Sequence, residues 1–179
     1  MNYELLCHPD TPTAKILGVS VQINANDREY WLEFYVRYEG KIALPAMGEP
    51  RRADGLWKRT CFEVFLKSIG DGPYVEFNLS PSFEWAAYSF DSYRSGMREL
   101  ALEFAPEISI TPDTPGHFWL AAELDISAIG VRKAAMNLTA VIEDDEGGKS
   151  YWALAHAPGA PDFHNPDCFV ARLAAPERP

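Results

Sequence analysis

The chain has 179 residues, 47% of them hydrophobic and 13% aromatic, enough for one domain spanning 1–179 with a core that needs no disulfides. Its 26 acidic against 16 basic residues give a formal charge of -10. That balance argues against nucleic acid and anionic membrane surfaces as partners, since both are gripped mainly by clustered Lys and Arg.

Period-two alternation dominates from the N-terminal strands onward. KILGVSVQINA sets Leu17, Val19, Val21 and Ile23 against Ile16, Gly18, Ser20 and Gln22, and EYWLEFYVRYEG alternates in the same way. CFEVFLK, YVEFNLS, EWAAYSF, EISITP, HFWLAAELDI, NLTAVIED, SYWALAH and CFVARL continue the pattern. Turn-forming stretches separate them: IGDGP, TPDTPG, EDDEGG and APGAPDFHNPD. About ten short strands with such punctuation predict an all-β fold, an antiparallel β-sandwich of jelly-roll or immunoglobulin-like type. DISAIGVRK and RSGMRELALEF are the two stretches with any helical character.

One hairpin can be read nearly in full. CFEVFLK ends at Lys67, SIGDGP turns, and YVEFNLS starts at Tyr74, so Lys67 is expected opposite Tyr74, Phe65 opposite Glu76 and Glu63 opposite Asn78. Phe62, Val64, Leu66, Val75, Phe77 and Leu79 then form an apolar face for the core. Cys61, Glu63, Phe65, Tyr74, Glu76, Asn78 and Ser80 share the other face. A slip of one residue would invert every side chain, which fixes the parity. The next strand, after the short PSF turn, is expected to add Trp85, Ala87 and Ser89 to the polar face, with Ala86, Tyr88 and Phe90 in the core.

That polar face carries the candidate chemistry. Glu63 and Glu76, diagonal on adjacent strands, could act as acid and base on a glycoside, accept hydrogen bonds from sugar hydroxyls, or form a solvated sheet surface. Trp57 and Trp85 offer flat rings for stacking or for packing. Arg59 and Arg94 are planar donors to a ligand oxygen or to a structural carboxylate. His164, between Asp162 and Asp167, reads as a turn residue or a metal ligand, although its spacing from His156 matches no zinc pattern. The Asp positions of EDDEGG do not alternate as a Ca²⁺ loop requires. No nucleophile elbow, phosphate loop or dinucleotide fingerprint is present.

GLWKRTCFEVFL, PYVEFNLSPSFEWAAYSFDSYRSGM and PDFHNPDCF together resemble the DOMON-like domains, which are related in fold to the family-nine carbohydrate-binding modules. The matching positions are Trp57, Glu63, Phe65, Leu66, Tyr74, Glu76, Phe77, Ser80, Pro81 and Trp85. The resemblance implies a β-sandwich that binds sugar or haem on one sheet, with Trp57, Arg59, Glu63, Glu76, Asn78 and Trp85 on the ligand face; Arg94 joins them as a candidate from the residue reading. Cys61 stands where the carbohydrate-binding relatives usually have an Asp, which favours a small soluble ligand over a polymer. The first expectation is therefore a non-catalytic domain binding a sugar or sugar-like metabolite. The alternatives are a haem-binding electron-transfer domain, with Met97, His117, His156 and His164 as the available axial ligands, and a glycoside-acting enzyme using Glu63 and Glu76. Cys7, Cys61 and Cys168 are widely spaced, with no C-x-x-C pair, and read as reduced thiols. MNYELLCHPD has neither the basic start nor the apolar run of an export signal, and a cytoplasmic location is expected.

Overall fold

A computed structural model describes residues 1–25, 29–68, 72–126 and 134–173. They form an all-β molecule of thirteen strands in one continuous sheet. In chain order these are β1 (Asn2–Cys7), β2 (Ile16–Ala25), β3 (Glu29–Tyr38), β4 (Arg51–Arg52), β5 (Cys61–Ser68), β6 (Tyr74–Leu79) and β7 (Glu84–Phe90). They are followed by β8 (Arg98–Glu99), β9 (Glu107–Thr114), β10 (His117–Asp125), β11 (Ala134–Glu143), β12 (Lys149–Ala153) and β13 (Ala171–Leu173). The order along the sheet is β4-β7-β6-β5-β11-β12-β1-β2-β3-β10-β9, with β13 added beside β11 and β8 beside β7. Every pairing is antiparallel except the short β4–β7 contact.

The sheet curls into a half-barrel, and it does not divide into the two separate sheets of the expected sandwich. The reason is β1. Asn2 to Leu5 pair with β2, whereas Leu6 and Cys7 pair with β12, so this one strand joins both halves. The curl brings the halves face to face over a common core. Phe62 of β5 meets Phe34 of β3 at 4.9 Å between ring centroids and Phe118 of β10 at 6.0 Å. Val19, Leu32, Leu66, Phe77, Leu120 and Leu138 fill the space around them. RSGMRELALEF is not helical: Arg98–Glu99 is a strand on β7. DISAIGVRK runs from β10 into residues outside those described. Among the described residues no helix is long and apolar enough to cross a membrane.

The β5–β6 hairpin has the expected register, with Glu63 opposite Asn78, Phe65 opposite Glu76 and Lys67 opposite Tyr74. The following hairpin differs from expectation by one residue. Leu79 pairs Trp85, Asn78 pairs Ala86 and Glu76 pairs Tyr88. Ala86, Tyr88 and Phe90 therefore share the face of Glu76, and Trp85 and Ala87 pack toward the main core. The cause is the turn. Ser80 N–H bonds Glu84 C=O at 3.0 Å and Phe83 N–H bonds Ser80 C=O at 3.0 Å, and Phe83 takes a left-handed φ of 69°. A loop of Pro81, Ser82 and Phe83 results, and its odd count inverts the parity that a two-residue turn would give.

The polar face of this hairpin is not solvated. The segment after β12 folds back over it, held by Asn137 Nδ2 donating to the Phe163 carbonyl at 3.0 Å. Phe163 and Phe169 pack onto Phe65, Tyr74, Ala86, Tyr88 and Phe90 as a second, smaller core. Buried on both sides, β6 has no exposed residue.

Candidate functional site

Between this overlying segment and β5–β6 lies a cavity of about 300 Å³. Glu63 of β5, Glu76 of β6, Phe90 of β7, Val141 of β11 and Tyr151 of β12 line it from the sheet. Trp57, in a 3-10 turn over Leu56–Lys58, closes one side, and Arg94 and Met97 come from the loop after β7. Pro161, Phe163 and His164 come from the segment after β12. Trp57 and Met97 are 38% and 50% exposed and form the mouth; Phe90 and Phe163 are buried and form inner wall. Rings on the walls with a few polar groups within is the usual composition of a small-molecule site.

The two carboxylates are built into this interior. Glu63 is 3% exposed and Glu76 4%. Thr139 Oγ1 donates to Glu63 Oε2 at 2.9 Å, and Asn78 Nδ2 donates to Glu76 Oε1 at 2.6 Å. Burial pushes both carboxyls above the ordinary carboxylate range, and for Glu63 the neighbouring charge of Glu76 adds to the shift. Two ionised carboxylates in one poorly hydrated pocket repel each other, so the pair resists losing its second proton.

A chain of hydrogen bonds sets the opposite wall. Arg94 donates through Nε and Nη2 to Asp162 Oδ1, at 3.1 and 2.6 Å, and Tyr93 donates to Asp162 Oδ2. The same Asp162 accepts from the backbone N–H of His164 at 3.2 Å. Arg94 holds a left-handed φ of 51°, uncommon without glycine, and its own N–H donates to the Tyr74 hydroxyl at 3.3 Å. That hydroxyl lies 2.8 Å from His164 Nδ1. Burial, then the nearby Arg94 charge, lowers the His164 pKa to about 4, so the ring is neutral at physiological pH. Its Nε2 faces Glu76 Oε2 at 3.8 Å.

Trp57, Glu63, Glu76 and Arg94 thus converge on one cavity. Asn78 is fully buried behind it and acts through Glu76. Arg59 is exposed at the end of the 3-10 turn and does not line the cavity. Trp85 is the correction: the three-residue turn places it with the main core, and Phe90, expected in that core, lines the site instead. Sequence reasoning also missed Tyr151, Phe163 and the placement of His164. For Phe163 and His164 the one visible signal was PDFHNPDCF, whose proline-bounded turns mark an ordered segment without saying which face it covers.

The haem expectation fits the donor set poorly. Met97 and His164 do line one cavity. However, His164 Nδ1 is engaged by Tyr74 and Nε2 faces a buried carboxylate, and 300 Å³ is at the small end for a ligand pocket. His117 stacks on Tyr35 and Trp119 in the other half of the sheet, and His156 Nε2 lies 2.8 Å from the Leu6 carbonyl oxygen. Among the described residues no group of three His, Cys, Asp or Glu is placed to hold a metal ion. A larger recess of about 500 Å³ lies near Glu103, Glu107 and Glu123. Those three side chains are exposed, and the recess lacks the buried polar interior of the smaller cavity.

No protein-family model matches the chain, and no curated protein matches it significantly. Solved structures do. A candidate carbohydrate-binding protein from Bacteroides uniformis superposes with a TM-score of 0.67 at 17% identity, over 94% of this chain and 83% of that one. A family-nine carbohydrate-binding module from Caldicellulosiruptor kristjanssonii, in complex with glucose, superposes with a TM-score of 0.55 at 10% identity, over 94% and 81%. The cellotriose complex of a family-nine module from the same organism gives 0.53 at 9%, over 88% and 75%. The likeness is one of fold. At these identities it carries no residue-level correspondence, and the reading of the cavity rests on its own geometry.

Proposed function

We propose that this chain is a non-catalytic binding domain for a small carbohydrate, taken up in the cavity between Trp57, Glu63, Glu76 and His164. The observation that carries the reading is the composition of that cavity. Aromatic walls suited to the apolar faces of a pyranose surround two fixed carboxylates suited to its polar groups, on a fold shared with modules solved with glucose and cellotriose. The DOMON-like resemblance belongs to the same proposal, as the broader family in which such a site would sit.

The same two glutamates favour glycoside hydrolysis as a second reading, but their placement supports binding better. A glycosidase needs its carboxyls on either side of the scissile bond, with environments that separate acid from base. Here both stand on one face of adjacent strands, and burial shifts both in the same direction.

Titration calorimetry with glucose, cellobiose and cellotriose, alongside release of nitrophenol from aryl glycosides, tests both readings. Saturable heat without hydrolysis is expected. Failure of every sugar to bind overturns the binding reading, and turnover abolished by Glu76→Gln replaces it with the enzymatic one.

A further inference from the structure

The interior of the cavity is unusual in its charge. Glu63 and Glu76 each have one oxygen fixed from behind, by Thr139 and Asn78. The other oxygen of each, Glu63 Oε1 and Glu76 Oε2, has no hydrogen-bond partner among the described residues, and His164 Nε2, at 3.8 Å, is beyond hydrogen-bonding reach. No described Lys or Arg forms an ion pair with either carboxylate. Arg94 is near enough to be felt by both, but its Nε and Nη2 both donate to Asp162 Oδ1.

The other titratable groups around the pair supply no counter-charge. They are Cys61 on β5, Tyr74 on β6, Tyr88 on β7, Tyr151 on β12, and Asp162 and His164 in the overlying segment. The Cys61 thiol and the Tyr74 and Tyr88 phenols are held protonated and neutral, the histidine is neutral, and Asp162 is matched by Arg94.

Two buried carboxylate oxygens left without partners favour a ligand that brings donors and positive charge to them. An ammonium group brings three N–H donors, no acceptor and a positive charge. Removing paired carboxylates from water is expensive when they are uncompensated, and a bound cation compensates them. The surrounding rings of Trp57, Phe90, Tyr151 and Phe163 add their own attraction for a cation, which a neutral hydroxyl does not share.

We propose that the cavity selects a ligand bearing a protonated amine, an amino sugar in the first instance, whose ammonium sits between Glu63 Oε1 and Glu76 Oε2. This deepens the carbohydrate reading and rests on it for the ring, but not for the charge. Any proton shared by the carboxylate pair is displaced when the ammonium enters, so binding releases a proton to buffer near neutral pH.

Calorimetry on the full chain with four probes separates the two ideas: glucose, glucosamine, cyclohexanol and cyclohexylamine. Glucosamine is expected to bind at least about tenfold tighter than glucose, with a heat that varies with the ionisation enthalpy of the buffer. Glu63→Gln should weaken glucosamine by about 10- to 100-fold, remove most of its advantage over glucose and reduce the buffer-dependent part of the heat. Should that variant fail to fold, Glu76→Gln and the wild-type comparison serve in its place. Equal affinity for glucose and glucosamine overturns the amine inference and leaves the sugar reading standing. Binding of cyclohexylamine with no sugar bound does the reverse. Silence from all four probes removes both.

Discussion

The two faces of the β5–β6 hairpin are equally buried and chemically opposite. Phe62, Val64, Leu66, Phe77 and Leu79 point into the main core and are at most 1% exposed. Cys61, Glu63, Phe65, Tyr74, Glu76 and Asn78 point the other way and are at most 4% exposed. Burial alone does not separate core from site. What separates them is the partner: the inner face meets the opposing half of the sheet, whereas the outer face meets a folded-back segment that leaves a cavity. The inner face should therefore govern stability, and the outer face the response to pH and to ligand.

The largest effect belongs to the inner face. Phe62 touches Phe34 and Phe118 from the opposing half, so Phe62→Ala opens a void where the halves meet. A loss of about 3–5 kcal/mol is expected, read as a lower urea midpoint with an unchanged slope. A loss confined to ligand binding would mean that the two halves do not share one core.

A smaller, pH-dependent effect belongs to the outer face. Both carboxyls are raised in the folded chain, so between the ordinary carboxylate range and their raised values the folded state holds more protons than the unfolded one. Stability from the pair is fully present below that range and is lost as pH rises through the raised values, by about 1.4 kcal/mol per pH unit for each extra proton the folded state holds. His164 has the opposite sign: its pKa is lowered from 6.5 to about 4, so its contribution is present above 6.5 and lost as pH falls through 4. Between pH 6.5 and about 8 the decline therefore reports the glutamates, below the range where the buried thiols Cys61 and Cys168 add a loss of the same sign. Urea midpoints measured across that window should fall for the wild type and flatten for Glu76→Gln. An identical slope in the variant would sink the claim that the pair is protonated in common.

The asymmetry between the faces also explains how much could be read from the sequence. Phe62 to Leu66 and Val75 to Leu79 alternate without interruption, and the short SIGDGP turn set their register, so Glu63 and Glu76 were placed correctly beside each other. Trp85 is expected on the wrong side because PSF does not reveal that Ser80 pairs with Glu84 across it; that three-residue closure, with Phe83 at a left-handed φ, keeps the even-numbered residues on one face. β1 was missed because only Leu5 of its six residues is buried. Its role in joining both halves is a matter of pairing, not of pattern. The cover over the site was illegible for another reason. His164 reaches Tyr74 across 90 residues, and Asn137 holds Phe163 across 26, contacts that no local periodicity encodes.

Trp57 gives the smallest effect on stability and the sharpest contrast with Phe62. It is 38% exposed and lies in a 3-10 turn that contains no buried residue. Its ring stands edge-on to Tyr88 at 6.2 Å, and Tyr88 is held independently by donating to Asp54 Oδ1 at 2.6 Å beneath the guanidinium of Arg52. Removing the indole thus leaves its neighbour in place. Trp57→Ala should shift stability by no more than about 0.5 kcal/mol, as at an ordinary surface position. Yet the same change takes away the flat ring at the mouth of the cavity, and the apolar area such a ring covers on a bound pyranose is worth roughly 25 cal/mol per Å². Sugar affinity should consequently fall by several-fold or more while the urea midpoint stays where it was. If both move together, Trp57 is part of the second core. If neither moves, the ligand enters past Met97 and Arg94 without touching the indole.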